Sequence, residues 1–204
     1  MNKFKRWRLR NSIQSADYDE RAYYSKIPFQ RYWQRRRYKI VMDFIERNGK
    51  FLDIGCGSSK IITDTPKMIG LDIRLNKLLY IKKSNKRLLN ADACRLPLRK
   101  NSIDCIICSE VIEHIANKRI FKEISRVLRE DGILVIGTPD YASFIWIIIE
   151  FLYKLFHPDG YADEHVTRYN YRMLKRILLK NKFRILGYRY ICFSELIIKA
   201  RKKT

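Results

Sequence analysis

Glycine, proline and acidic side chains are scarce in this sequence. Only 8 Gly and 5 Pro occur among 204 residues, which excludes a collagen-like or low-complexity chain. Because 47% of the residues are hydrophobic, the chain is too apolar for disorder and long enough to bury a full core. The sequence has 43 Lys+Arg and only 21 Asp+Glu, which gives a formal net charge of +22. That charge predicts an anionic partner such as nucleic acid, a phospholipid surface or an acidic substrate.

Cysteines are also few, and the amino terminus does not resemble an export signal. The five cysteines are an odd number without the spacing of a disulfide framework. Residues 1–10 carry five basic side chains and no apolar stretch follows them. We therefore expect a cytoplasmic protein with reduced thiols. Cys105 and Cys108 fall within a predicted strand, where positions i and i+3 face opposite ways, so we interpret them as core residues.

The positive charge is concentrated at the two ends of the chain. Residues 1–48 hold 13 basic and 5 acidic side chains, and residues 167–204 hold 12 basic and 1 acidic. Residues 49–166 are nearly balanced, with 18 basic and 15 acidic side chains. We predict a basic amino-terminal arm and helix over residues 1–48, followed by one domain over residues 49–204.

Short apolar runs alternate with helical patterns along that domain. After a first helix at residues 29–47, strands are predicted at residues 51–54, 68–73, 87–89, 103–108 and 133–137. A helix over residues 171–180, capped by Asn170, precedes an antiparallel pair at residues 183–191 and 195–199. The alternation predicts an α/β fold in which helices cover both faces of a parallel sheet.

Polar and glycine residues stand at the ends of three successive predicted strands. In Asp53-Ile54-Gly55-Cys56-Gly57, two glycines one residue apart allow the backbone to approach a ligand closely. Asp72 ends the second strand, where a carboxylate accepts both hydroxyls of a ribose. Asp92 ends the third strand, where it suits the exocyclic amine of a purine. Each Asp alone could cap the following helix, but three in series favour a nucleotide-like ligand.

This ordered series resembles the class I S-adenosylmethionine (SAM) dependent methyltransferases, and among them the small branch of the ubiquinone-biosynthesis (type 11) methyltransferases. The resemblance covers roughly residues 50–199 and also rests on Ser102-Ile103-Asp104, Glu113-His114 and the stretch from Arg126 to Gly132. It implies a Rossmann-like, seven-stranded, mostly parallel sheet with helices on both faces and the last strand antiparallel. It also implies SAM as the cofactor and a methyl acceptor as the substrate.

The resemblance implies a cofactor site that can be carried over residue by residue. The glycine turn would hold the methionine end, Asp72 the ribose and Asp92 the adenine. The complete set of predicted cofactor residues is Asp53, Gly55, Cys56, Gly57, Asp72, Ile73, Asp92, Ala93 and Ser109. A dinucleotide-binding dehydrogenase is the competing interpretation, but Lys60 stands where that class requires its third glycine. The short connection at residues 55–67 leaves room for one or two helical turns.

Two histidines are candidates for catalysis. Methyl transfer needs alignment in a dry pocket, and needs a base only where the acceptor carries a proton. His114 follows the fourth strand, and His165 lies in a later loop, where an ordinary surface histidine is the alternative. Glu110, Glu113 and His114, at positions i, i+3 and i+4, would share one helix face suited to a divalent cation. Helix capping also explains Glu113, and we predict no metal.

The most hydrophobic part of the chain lies at residues 141–156, within a predicted apolar insertion at residues 140–166. Its sixteen residues would extend about 24 Å as a helix, short of the ~30 Å bilayer core. A packed helix, a lid over an apolar substrate and a helix resting on a membrane remain open. The basic ends favour peripheral contact with an anionic membrane, while basic runs such as Arg35-Arg36-Arg37 keep nucleic acid as the rival partner.

We therefore predict a SAM-dependent methyltransferase that acts on a small, lipophilic or lipid-linked acceptor at the inner face of a membrane. One alternative is an RNA methyltransferase that uses its basic ends. Another is a non-catalytic binding module with the same fold, against which the intact set of Asp53, Asp72 and Asp92 argues.

Overall fold

A computed structural model describes residues 15–45, 49–65, 67–84, 87–156 and 165–203. The helices are α1 (Tyr18–Tyr23), α2 (Pro28–Phe44), α3 (Lys60–Asp64), α4 (Leu75–Ile81), α5 (Arg119–Val127), α6 (Phe144–Phe156) and α7 (Tyr171–Lys180), and a 3-10 turn spans Ile112–His114. The strands are β1 (Phe51–Ile54), β2 (Ile69–Asp72), β3 (Leu88–Asn90), β4 (Ile103–Ser109), β5 (Leu128–Pro139), β6 (Phe183–Ile191) and β7 (Glu195–Lys202). The basic residues 1–14 and part of the predicted insertion, residues 157–164, lie outside the described residues.

The seven strands form one sheet in the order β3-β2-β1-β4-β5-β7-β6. Neighbouring pairs from β3 to β5 are parallel, and β7 runs antiparallel to both β5 and β6. The predicted Rossmann-like architecture is therefore confirmed. The strand order reverses between β1 and β4, and in open sheets of this kind ligands bind in the crevice at such a switch point.

Helices cover both faces of the sheet and bury two separate apolar cores. On one face lie α5 and α7, which contribute Phe121, Leu174 and other residues to one cluster. On the other face lie α2, α3 and α4, and their cluster includes Ile40 and Leu78. Cys105 and Cys108 fall into different clusters, as their opposite orientations within β4 predict. The amino-terminal helix α2 therefore packs on the same sheet as the rest of the chain.

Local sequence patterns predicted most helices and strands, but several predicted ends differ from those in the structure. Helix α3 is a single short helix, as predicted for the connection at residues 55–67. Strand β5 begins at Leu128, five residues before the predicted start, because Leu128 pairs with Ile103 before the register shifts. Strand β7 runs to Lys202 because its last residues pair with the start of β6 at Phe183. The predicted cap of α7 is present, with the Asn170 side chain accepting the Met173 N–H at 2.9 Å.

Candidate active site

A cavity of about 560 Å³ lies at the carboxyl ends of β1, β2 and β4, where the strand order reverses. Eight of the nine predicted cofactor residues line it, namely Asp53, Gly55, Cys56, Asp72, Ile73, Asp92, Ala93 and Ser109. The ninth, Gly57, is not in the lining, but its N–H donates to Asp72 Oδ2 at 2.8 Å. Residues from three separate strands thus meet in one space. Their cofactor contacts remain predictions.

The glycine turn is shaped by backbone that only glycine adopts easily. Gly55 and Gly57 have φ angles of +68° and +53°, in the left-handed region. A Cβ atom on Gly55 would lie 2.3 Å from Val111 Cγ2, and one on Gly57 would lie 2.3 Å from Asp19 Oδ2. A side chain at either position would therefore strain the backbone and displace a neighbouring side chain.

The two buried strand-end carboxylates differ in how they are held. Asp72 accepts N–H bonds from Gly57 and Arg74, both at 2.8 Å, so its orientation is fixed at the cavity edge. Asp53 is buried beneath the glycine turn. Burial raises the pKa of Asp53 well above its ordinary value, and the negative charges of Asp72 and Asp19 raise it further. A bound cationic group would relieve this repulsion.

Helix α1 supplies a carboxylate that the sequence pattern did not identify. Asp19 Oδ2 accepts the Ser58 N–H at 2.9 Å and receives Lys77 Nζ at 2.8 Å. Burial alone would raise the pKa of Asp19, but the ion pair with Lys77 and the bonds from Ser58 hold it below the ordinary value. Tyr18 and Tyr23 of the same helix also line the cavity. The amino-terminal segment thus forms one wall of the candidate site.

Arg37 and Glu195, which the sequence did not identify as a pair, join α2 to the start of β7. Arg37 donates two hydrogen bonds of 2.6 Å to Glu195, one from Nε to Oε1 and one from an η nitrogen to Oε2. It also lies 3.4 Å from Glu110 Oε2, and Trp33 Nε1 donates to Glu195 as well. Burial raises the pKa of Glu110 well above its ordinary value, Glu195 adds to this, and Arg37 opposes it. Arg37, assigned by sequence to a phosphate-binding run, lines the cavity instead.

The two predicted catalytic histidines are brought together. The ring centroids of His114 and His165 are 4.8 Å apart, and His114 lines the cavity. The Tyr141 hydroxyl and His165 Nδ1 share a 2.5 Å hydrogen bond, and the Trp146 ring of α6 stacks on His165 with centroids 6.4 Å apart. Burial lowers the pKa of His165 to about 4, and the neighbouring charges of His114 and Arg168 lower it further.

The predicted helix face of Glu110, Glu113 and His114 is wrong. Glu110 has a φ angle of +58°, and only the single 3-10 turn Ile112–His114 follows it. Glu113 is fully buried, and Thr138 Oγ1 donates to its Oε2 at 3.2 Å. Burial raises the pKa of Glu113 to about 8. The turn places Glu113 beside His114 and His165, where one ligand atom from each lies within 4.8 Å of the others.

Comparison with known proteins shows a likeness to methyltransferases. Residues 52–136 match the methyltransferase domain family that is described as "Methyltransferase domain". These residues, fewer than half of the chain, are similar to a methyltransferase domain. Among solved structures, it is similar to a SAM-dependent methyltransferase of Thermotoga maritima, described as a possible histamine N-methyltransferase, with TM-score 0.69 and 18% identity over 86% of this chain and 94% of that one. A Pyrococcus horikoshii protein gives TM-score 0.65 and 20% identity, over 89% and 95%.

Curated relatives match part of their own length. An uncharacterised protein of Methanocaldococcus jannaschii is 28% identical over 161 residues, 78% of this chain and 58% of the relative. A probable SAM-dependent methyltransferase of Mycobacterium tuberculosis is 27% identical over 127 residues, 58% of this chain and 46% of the relative. This chain thus spans about half the length of these relatives. The ubiquinone-type branch remains a prediction.

The methyltransferase domain implies SAM as its cofactor, and the cavity of this chain fits that cofactor. SAM carries a sulfonium and an ammonium group, and the buried carboxylates of Asp53 and Asp72 provide complementary charge. The turn at Gly55 leaves space that a Cβ atom would fill. Within the described residues, Ser109 Oγ is buried at the cavity without a hydrogen-bond partner, so a bound ligand can satisfy it.

Proposed function

We propose that this protein transfers a methyl group from SAM to a small lipophilic or lipid-linked acceptor at an anionic membrane surface. The observation that carries the proposal is the placement of α6, which exposes an apolar face while its Trp146 stacks on His165, the neighbour of His114 in the cavity wall. When bound, SAM supplies a methyl group activated by its sulfonium. The residues of this chain bind that cofactor, exclude water and position the acceptor.

The cofactor half of the proposed site consists of the strand-end residues. Asp72 is held by two backbone N–H groups with both oxygens at the cavity edge, which suits bonds from the ribose hydroxyls. Asp92 is more exposed, and its Oδ1 already accepts the Cys94 N–H at 2.8 Å, which leaves Oδ2 for the adenine amine. Asp53 offers a buried negative charge for the cationic methionine end.

The acceptor half of the proposed site contains His114 and His165. His114 belongs to the cavity wall, and His165 is fixed between Tyr141 and Trp146. Trp146 lies in the first turn of α6 and Tyr141 precedes the helix, so both histidines are joined to α6 through these side chains. We propose these histidines as the catalytic residues that contact the acceptor.

The outer face of α6 is unusually apolar for an exposed helix. Phe144, Ile147, Ile148 and Phe151 recur at helical spacing, and their exposed fractions are 73%, 51%, 41% and 65%. Phe193, in the adjoining β6–β7 turn, is 75% exposed, and its carbonyl accepts a bond from Ser143 at the start of α6. We call these five side chains the docking face. Contiguous exposed apolar surface of this kind marks interaction sites with proteins or membranes.

Helix α2 contacts the start of β7, beside Phe193 of the docking face. Trp33 contacts Glu195 at the start of β7, next to Phe193, and Phe29 packs on Trp33 with ring centroids 5.3 Å apart. Arg31, Arg35 and Arg36 follow along this helix. An exposed apolar face near an arginine-rich helix matches an interface of acyl chains and anionic headgroups. Among the described residues, no helix combines the length and apolarity needed to cross a membrane.

Arg201 and Lys202 lie at the end of the strands that is opposite to the cavity. Arg201 pairs with Ile133 near the beginning of the parallel part of β5, whereas Glu195 pairs with Pro139 at the cavity edge. Lys202 is buried and donates to the Leu128 carbonyl at 2.6 Å and to Asn101 at 2.9 Å. Arg201 and Lys202 therefore lie away from the docking face, and the α2 arginines are the charges that support membrane contact.

Vesicle co-sedimentation tests the membrane assignment. The full chain should bind vesicles with 30% anionic lipid, about tenfold more than zwitterionic vesicles, because each nearby basic residue contributes ~1 kcal/mol. The double variant Phe144→Asp with Phe151→Asp should lose this binding. Leu179→Asp is the matched control, since Leu179 is a 49% exposed apolar residue of α7. Equal binding to both vesicle types, or salt-dependent binding to total RNA instead, would reject the membrane surface in favour of nucleic acid.

A further inference from the structure

Glu110 is a carboxylate of the cavity wall that is only half satisfied. Its Oε2 lies 3.4 Å from a terminal nitrogen of Arg37. Its Oε1 is buried and has no hydrogen-bond partner within the part of the chain that the structure describes. A buried polar atom without a partner is rare in folded proteins, because it loses its bonds to water and gains none in return. A ligand that donates a hydrogen bond to Oε1 removes this cost.

The strand order separates Glu110 from the predicted cofactor carboxylates. Glu110 follows β4 directly, and its N–H donates to the Gly137 carbonyl of β5 at 3.0 Å. Beyond β5 lies β7, whose first residue, Glu195, pairs with Arg37 as Glu110 does. The predicted cofactor carboxylates stand at the ends of β1, β2 and β3, on the other side of β4. Glu110 therefore belongs to the acceptor half of the cavity.

Negative charge exceeds positive charge around Glu110. Arg37 donates two hydrogen bonds of 2.6 Å to Glu195 and a third, of 3.0 Å, to Gln34, so its contact with Glu110 is the longest of these. Burial raises the pKa of Glu110, and the charge of Glu195 raises it further. Arg37 opposes this shift, and the charge of Glu113 adds to it. Three carboxyl groups and one guanidinium thus act on one another here, and a ligand cation would balance them.

A second polar atom without a partner lies next to Glu110 in the chain. Ser109 Oγ, at the end of β4, is buried at the cavity and has no hydrogen-bond partner among the described residues. Glu110 itself has a φ angle of +58°, and strained backbone of this kind is frequent at functional sites. The two adjacent side chains suit a ligand group that carries several N–H donors.

We propose that Glu110 determines the acceptor class, and that the methyl group is transferred to the nitrogen of a lipophilic amine. This inference rests on the proposed methyltransferase function. An alkylammonium group, like that of lysine, has three N–H donors and a positive charge, which match the oxygen atoms without partners and the excess of carboxyl groups. A hydroxyl group has one donor and no charge. Glu110 therefore selects an amine over an alcohol of the same shape.

The bound ammonium has to lose a proton before its nitrogen can attack. One of its N–H groups donates to Glu110 Oε1, and this proton passes to the carboxylate, whose raised pKa makes it the better base. The nitrogen lone pair forms a bond to the methyl carbon, the carbon–sulfur bond breaks, and its electron pair stays on sulfur. The products are a methylated ammonium and the neutral thioether S-adenosylhomocysteine, and Glu110 then releases its proton to water.

Two small probes test this assignment on the full chain. Octylamine is an ammonium at neutral pH, and octanol has the same alkyl chain with a neutral hydroxyl. Calorimetric titration with saturating S-adenosylhomocysteine present should show that octylamine binds at least about tenfold more tightly than octanol. Absence of octylamine binding, or equal affinity for the two probes, would overturn the proposal. This comparison uses the wild-type chain and therefore does not depend on the folding of any variant.

Substitution of Glu110 assigns the preference to this side chain. Glu110→Gln should lower the octylamine affinity at least about tenfold and leave the octanol affinity unchanged, because glutamine keeps the shape but loses the charge. Glu123→Gln is the matched control, since Glu123 also pairs with an arginine, Arg126 at 2.8 Å, but lies outside the cavity lining. Wild-type preference for octylamine in a folded Glu110→Gln, or its loss in Glu123→Gln, would overturn the role of Glu110.

The affinity for S-adenosylhomocysteine, measured on the same samples, distinguishes failure of this inference from failure of the proposed function. A wild-type chain that binds S-adenosylhomocysteine but does not prefer octylamine contradicts only the acceptor class. A wild-type chain that binds no S-adenosylhomocysteine contradicts the proposed function itself. We expect Glu110→Gln to bind S-adenosylhomocysteine as the wild type does. Weaker binding in a folded Glu110→Gln would place this carboxylate at the cofactor and overturn its assignment to the acceptor.

Discussion

The cofactor half and the acceptor half of the cavity are built in different ways. The cofactor half comes from the ends of β1, β2 and β3, and its key carboxylates, Asp53, Asp72 and Asp92, each follow a short apolar run. The acceptor half joins the turn at Glu113 to Tyr141, Trp146 and His165, which lie far apart in the chain. Local strand geometry determines the first half, whereas long-range packing determines the second.

The largest expected effect concerns the cofactor half. Asp72→Ala should weaken binding of the demethylated cofactor S-adenosylhomocysteine (SAH) at least about 100-fold, because it removes the acceptor of two backbone N–H groups and of the ribose hydroxyls. Calorimetric titration with SAH measures this. The matched control is Asp104→Ala, which also removes a carboxylate that accepts a backbone N–H, here from Lys50 at 2.7 Å, but outside the cavity lining. Equal affinity of Asp72→Ala and wild type would contradict the assignment of the ribose site.

The next effect concerns the backbone of the glycine turn. Gly55→Ala should destabilise the protein by roughly 1–3 kcal/mol, because the φ of +68° is strained for alanine and the new Cβ meets Val111. Urea unfolding measures the change. Gly187→Ala is the control, since no heavy atom lies within 4 Å of its Cβ position. Addition of Val111→Ala should recover part of the loss, and no recovery would show that the contact is unimportant.

A smaller effect concerns the wall that α1 adds to the cofactor half. Asp19→Asn should lower stability at neutral pH by about 0.5–1 kcal/mol, because the carboxylate is partly exposed and screened. The pKa of Asp19 is lowered in the folded protein, so its contribution is present above the unfolded pKa and disappears as the pH falls through the folded value. Urea unfolding of both proteins between about pH 6 and pH 3 should therefore converge at the acidic end. A constant difference across this range would exclude the ion pair with Lys77 as the cause.

The smallest effect on stability concerns α6, in the acceptor half. Phe144→Asp should change the free energy of unfolding by less than about 0.5 kcal/mol, because the side chain is 73% exposed. Ile149→Asp, on the inner side of the same helix, should be much more destabilising because Ile149 packs on the core. The thermal unfolding midpoints of the two variants compare the outer face of α6 with its inner face. A large loss in Phe144→Asp would mean that this face is covered within the chain.

The same division explains what the sequence could predict. The strands and the strand-end aspartates follow from short apolar runs and turn glycines, which are local signals, whereas the seven-stranded architecture was expected only from the family resemblance. Asp19 could not be found, because its partners Ser58 and Lys77 lie 39 and 58 residues away. Arg37 and Glu195 are separated by 158 residues, and no spacing indicates their pairing. The helical face of Glu110, Glu113 and His114 failed because the backbone at Glu110 is left-handed, a conformation that the residue type does not suggest.

The central claim is that the cavity at the strand ends holds the cofactor through these carboxylates. A crystal structure of the full chain with SAH tests this most directly. The account predicts that the Asp72 carboxylate accepts both ribose hydroxyls, that Asp92 lies at the adenine amine, and that the sulfur points toward His114. SAH bound elsewhere, or bound in this cavity without contact to Asp72 and Asp92, would contradict the account.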